Sequence, residues 1–323
     1  MESERKALYN SLRLNWIRDP SLKVQHWQVE DLREANIDEI IDRIQTNGLP
    51  FDKFSFQQTA ENYDSPEEMT ETLLEDIDLP QEAFDRIYLS IFELWRRLLP
   101  EKQSLSVFCD ELDYQIHLYD SGDIKNFEAF QDTINDLREI LEENVDSGLS
   151  PSAAFLTLSR ETANNIEEFL YDYIADEIDE GHYSYAADLI EGFYPYMSDK
   201  RWFDLLSTRI EVQDQGEEIE SALQTLIKKV KNADLEFYFE VLAFLSKRGD
   251  RKTYSLISKK AIAQFETEDD LADFLALTAE FFHFLDDEIN ETKVLDLARS
   301  RNKIATSALS SNDPVFQEIK KIL

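Results

Sequence analysis

Glycine is scarce in this chain, 7 in 323 residues, and three of the seven keep step: Gly181, Gly216 and Gly249 lie 35 and 33 residues apart. An aromatic ahead of each glycine keeps nearly the same interval, at Phe169, Trp202 and Phe237, and a small residue follows each five or six positions on, at Ala186, Ala222 and Ser255. Glycine suits a helix C-terminus because it enters the left-handed cap conformation without a side-chain clash. A unit of about 34 residues that closes one helix on glycine and opens another is a helical hairpin. Such a unit cannot bury its apolar face alone, so its neighbours must stack on it. The small residues mark where the second helix of each hairpin approaches the first.

The stretch from Glu180 to Ile190 states the pattern most fully. Gly181-His182-Tyr183-Ser184-Tyr185-Ala186 carries the Gly-x-Tyr-x-x-Ala of the tetratricopeptide-repeat family, and Ile219-Glu220-Ser221-Ala222 repeats its end with isoleucine for tyrosine. Over about 166 to 265 the chain resembles that family. The resemblance implies a short α-solenoid with an extended concave surface that holds peptides or helices, as an adaptor does. Acidic, aromatic-rich hairpins of this kind also resemble repeat chaperones that hold secretion substrates.

The first half reads as helix too. Apolar residues recur at three and four in Ile37-Ile40-Ile41-Ile44, in Phe84-Ile87-Tyr88-Ile91-Phe92-Trp95 and in Phe127-Phe130-Ile134-Leu137-Leu141, and no segment sustains the two-residue alternation of a half-buried strand. Ser65-Pro66 and Ser150-Pro151 read as an N-cap followed by a first-turn proline. The spacing predicts six or seven helices up to about residue 160, with a hinge at Val145–Pro151. The expected fold is therefore all-α: an acidic helical domain over 1–150, then a tetratricopeptide-like α-solenoid over 151–323.

Charge narrows the function. The formal net charge is −35, and residues 51–200 carry 36 Asp and Glu against 9 Lys and Arg. So acidic a surface repels phosphate backbones and anionic lipid, which argues against direct nucleic-acid or membrane binding. No run of about 18 apolar residues offers a membrane span, and the N-terminus shows no apolar signal segment. A single cysteine, Cys109, rules out an internal disulfide, and cytoplasm is the expected location. Against this background a cluster of cations stands out at Lys228, Lys229, Lys231, Lys247, Arg248, Arg251, Lys252, Lys259 and Lys260. It either pairs internally with acidic residues or receives an acidic segment of a protein or peptide partner. The partner-binding candidates are Lys228, Lys229, Lys231, Arg248, Arg251 and Lys252.

Catalytic motifs fail on their ligands. Gly122-Asp123-Ile124-Lys125-Asn126-Phe127-Glu128 has the glycine and glutamate spacing of a calcium loop, yet His117, Tyr119 and Ser121 stand where carboxylates belong. Glu280-Phe281-Phe282-His283 is half of a di-iron bundle motif. Its nearest second copy, Asp179-Glu180-Gly181-His182, is broken by a glycine, so His283 is expected to pack beside Phe281 and Phe284. No Gly-rich phosphate loop or Cys-x-x-Cys is present. A non-catalytic interaction module with no cofactor and no metal is expected. The alternatives are a helical-bundle metalloenzyme, for which bound metal would speak, and an acidic protein that mimics nucleic acid, which would compete with DNA for a basic partner.

Overall fold

The computed structural model of the chain describes residues 4–214, 222, 225–226, 233–248, 251–301, 307–310 and 313–323. Over the described residues the chain is all-α, with seventeen α-helices, one 3-10 turn, and a lone bridge between Thr267 and Ala308. It divides into two compact units, Met1–Leu170 with Pro195–Ser198, and Tyr171–Tyr194 with Asp199–Leu323. The division falls inside α10 (Ile166–Asp179). No described helix is long and apolar enough to cross a membrane.

The first unit holds α1 (Arg5–Arg18), α2 (His26–Val29), α3 (Ile37–Thr46), α4 (Lys53–Ala60), α5 (Pro66–Leu74), α6 (Gln81–Leu98), α7 (Leu105–Asp120), α8 (Phe127–Asp146) and α9 (Pro151–Glu161). Nine helices rather than six or seven precede residue 162. The four-residue α2 is too short to show an apolar period in sequence. Helices α3, α4 and α5 pack on α6, whose residues from Ile87 to Trp95 are all buried. Each large apolar side chain so buried contributes roughly 1.5–3 kcal/mol. Ile40, Ile41 and Ile44 present one stripe of α3 to that core. Ser65 and Ser150 cap as their sequence suggests: their Oγ atoms accept from Glu68 N–H at 3.1 Å and Ala153 N–H at 3.3 Å, with Pro66 and Pro151 in the first turn. The Val145–Pro151 segment joins α8 to α9 within this unit.

The second unit continues from Tyr171 through α11 (Tyr183–Phe193), α12 (Lys200–Asp214), α13 (Leu235–Ser246), α14 (Arg251–Ile262), α15 (Glu268–Phe284), α16 (Glu288–Ser300) and α17 (Val315–Ile322). Helices α10, α12, α13 and α15 begin at 166, 200, 235 and 268, steps of 34, 35 and 33, while α11 and α14 begin at 183 and 251, twice 34 apart. An aromatic ladder links the first three members of that series, α10, α12 and α13. The Trp202 ring meets Tyr171 at 5.1 Å and Phe237 at 5.2 Å, both edge to face. Phe169, two residues before Tyr171, belongs to the first unit. That ring packs on Tyr119 and Phe130 in the first unit, because residues two apart on a helix point in different directions.

Gly181 closes α10 with φ +87°, its own N–H donating to the Ile178 carbonyl and the next N–H, of His182, to the Glu177 carbonyl at 2.8 Å. This is a Schellman end, which a residue with a Cβ adopts only at a cost. Gly216 and Gly249 lie outside the described residues. Ala186 is fully buried. Ser255 is half-exposed, whereas Ser258 is fully buried and so occupies the close-packed position of α14. The core of this unit centres on Phe237, Leu242, Leu245, Tyr254, Phe274 and Phe281, with Tyr254 stacked on Phe281 at 3.9 Å.

Candidate functional site

Six of the nine residues of the basic cluster lie among the described residues. Lys228, Lys229 and Lys231 lie outside the described residues, while Arg248, Arg251 and Lys252 stand around the start of α14. Helix α14 buries Thr253, Tyr254, Ile257, Ser258 and Ala261, so the residues offset from these face water. Lys252, Leu256 and Lys259 share that solvent face at spacings of four and three. Leu256 is 46% exposed there, an apolar side chain between cations. Arg251 is spoken for: its guanidinium pairs with Asp287 at 2.6 Å and lies over the Phe282 ring. The Arg248 guanidinium sits 5.3 Å from the Phe244 ring centroid, and the half-buried Lys260 ammonium 5.9 Å from that of Tyr238. Lys247 and Lys259 are exposed.

A second constellation, in the first unit, has no motif to announce it. Asp110 on α7 is 4% exposed at its side chain and accepts from Lys6 Nζ at 2.8 Å, Arg33 at 2.6 Å and Asn10 at 3.0 Å. Burial alone would push its carboxyl up, but the charges of Lys6 and Arg33 outweigh burial and hold it well below the usual carboxylate range. Asp113, one turn on, accepts from the Ala163 and Asn164 backbone N–H groups and from the side chains of Asn164 and Asn10. It ties the loop before α10 to α7, and burial raises its pKa. Lys6, Asn10, Arg33, Asp110 and Asp113 line a cavity of about 60 Å³ that also touches Tyr114. It has room for a few waters. Asp110, Lys6, Arg33 and Asp113 each meet an opposite charge or a hydrogen-bond donor there. Cys109 beside it is buried, and burial pushes its thiol well above the ordinary value, so it is no nucleophile.

A further cavity of the first unit, about 140 Å³, is lined by Glu4, Arg5, Glu67, Tyr88 and Glu161. Tyr88 and Ser106 donate to the two oxygens of Glu67, and Arg5 lies over the Phe84 ring. Glu161 is pushed up to about 7, first by burial and then by Glu4 and Glu67. A folded-state value above the unfolded one means that the fold binds this proton more tightly, so stability is lost as pH climbs through that value. With the side chain part-exposed, the loss is about 1–2 kcal/mol after discounting for solvent. Glu161→Gln should therefore raise the melting temperature at pH 8 and change little at pH 5; a thermal melt series across that range checks it.

Among the described residues the Glu280-x-x-His283 pair does not converge with a further pair of metal-ligating side chains. Both residues are exposed, and His283 Nδ1 lies 3.2 Å from Glu291 instead of packing into the aromatic core, because it falls on the outer face of the last turn of α15. Among the described residues one group of three metal-ligating side chains converges, Glu177, Glu180 and His182. No family model matches this chain, and no curated protein and no solved structure matches it.

Proposed function

We propose that the second half of the chain is a tetratricopeptide-like hairpin array working as a non-catalytic docking module, an adaptor or chaperone-like binder that receives an acidic segment of a protein partner. The observation that carries this reading is the outer face of α14, where Lys252, Leu256 and Lys259 stand exposed in a row on a protein of net charge −35. An apolar side chain flanked by cations matches a helix or strand whose acidic residues flank one apolar anchor. The 34-residue steps of the helix starts and the Tyr171–Trp202–Phe237 ladder support the repeat part of the reading. Stacked hairpins serve such binding well because each adds a rigid increment of surface.

Charge reversal tests it. With Lys247 and Lys259 both changed to glutamate, the protein should keep its melting temperature, since exposed substitutions cost little. The partner captured from native extract by the parent should be lost. Binding by the parent should also fall as salt rises, because exposed charges are screened over about 8 Å at physiological ionic strength. A partner retained through both changes would remove the α14 face as the docking site. A lowered melting temperature with no partner present would instead assign these lysines to internal pairing.

A further inference from the structure

The turn between α10 and α11 assembles a set of ligands that sequence spacing conceals. Read along a helix, the only Glu-x-x-His-like candidate here is Asp179 to His182, and Gly181 breaks it. The Schellman turn changes the neighbours. With Gly181 in the left-handed conformation, the His182 N–H folds back onto the Glu177 carbonyl, and its imidazole Nδ1 comes 2.8 Å from Glu177 Oε2 and 3.6 Å from Glu180 Oε2. One ligand atom from each of the three lies within 4.8 Å of the others. Ligands about 2.0–2.2 Å from a tetrahedral zinc ion stand about 3.4 Å apart, so the observed separations need only small side-chain adjustments.

The electrostatics favour a cation. The Glu177 side chain is 4% exposed, and a buried carboxylate needs a compensating charge. Among the described residues the only basic group within ion-pair distance of Glu177 or Glu180 is His182 itself, since the nearby Arg209 is held by Asp179 at 2.6 Å. With its imidazole neutral the trio carries two negative charges. An imidazole with two carboxylates is a borderline nitrogen and oxygen set that suits zinc over calcium or magnesium. Glu180 and His182 are exposed enough, at 67% and 54%, for an ion to enter from solvent.

We propose that Glu177, Glu180 and His182 bind one divalent transition-metal ion, Zn²⁺ in the first instance, and that the ion clamps the end of α10 to the start of α11. The three protein ligands leave a fourth position for water or for a donor from another molecule. The site is independent of the α14 face and stands or falls separately from the docking reading.

The test is calorimetric titration of the full chain with zinc chloride in a non-coordinating buffer, with a thermal melt alongside. The parent should bind one equivalent in a saturable, tight phase, and its melting temperature should rise with zinc. His182→Gln and Glu180→Gln, both at exposed positions and so expected to fold, should each weaken that phase more than about tenfold and abolish the zinc-dependent rise. Glu177→Gln should do the same, and if it fails to fold the two exposed variants still decide. Absence of a one-equivalent phase in the parent would overturn the site. So would a phase that survives His182→Gln unchanged, because zinc would then be held by the general acidic surface.

Discussion

Asp110→Ala should destabilise the first unit by about 3–5 kcal/mol, because it leaves two cations in a water-poor site without their carboxylate. Lys6 would keep only the Asn10 side chain as an oxygen partner, at 2.9 Å, and Arg33 would keep Glu111 at 2.7 Å. An unfolding midpoint lower on the order of 10 °C is expected. Glu111→Ala removes a carboxylate whose side chain is 30% exposed and should cost far less, which separates burial from charge count. The Asp110 carboxyl is held below the usual range, so its contribution is complete above the unfolded-state value of about 4 and fades only in stronger acid. If Asp110→Ala melts with the parent at pH 7, the network is solvated and the electrostatic account of α7 is wrong.

Trp202→Ala should cost the second unit about 2–4 kcal/mol. The side chain is only half-buried, which keeps the loss below that of a fully buried tryptophan. Its weight comes from position: it is the middle rung between Tyr171 and Phe237, and both edge-to-face contacts vanish together, each worth roughly 0.5–1.5 kcal/mol. Tyr171 would retain its hydroxyl bond to Glu240 at 2.9 Å, so α10 and α13 stay linked by one polar contact. Trp202→Phe should recover part of the loss. A denaturant melt in which Trp202→Ala follows the parent would mean that the ladder records proximity and not cohesion between α10, α12 and α13.

Helix was legible in the sequence wherever an apolar stripe was long. Ile40, Ile41 and Ile44, and Ile87, Tyr88, Ile91, Phe92 and Trp95, sit where their periods put them, though α6 also buries Leu89, Ser90, Glu93 and Leu94 between them, and the serine caps before Pro66 and Pro151 hold. The end of α10 at Gly181 was readable because the left-handed cap conformation favours glycine. The same reasoning was blind to Asp286, which ends α15 at φ +53° with a following N–H bonded back to the Phe282 carbonyl. A polar residue there takes the glycine's role and leaves no glycine to count. Phe169 kept the aromatic interval, yet its neighbour Tyr171 makes the ladder contact, since the interval fixes a position along a helix and not the direction of the ring.

The polar constellations were the least legible. Asp110 and Asp113 are two acids among many, and what distinguishes them is their register with Cys109, Leu112 and Ile116 on the buried face of α7. Their partners come from 77 to 104 residues away and from a loop 50 residues on. Glu177 and His182 meet only because Gly181 reverses the backbone, so a search for helical i to i+3 pairs passes them by. Among the basic residues, packing reveals a division that spacing does not: Arg251 pairs with Asp287, while Lys259 is exposed beside Leu256.

Hydrogen exchange of the parent protein, alone and in complex with the partner captured from native extract, tests the docking claim most directly. Slowed exchange is expected over residues 247–263, which carry the outward lysines and Leu256, with the amides of α1 to α6 unchanged. Protection confined to the first unit, with α14 exchanging at its free rate in the complex, would contradict the claim.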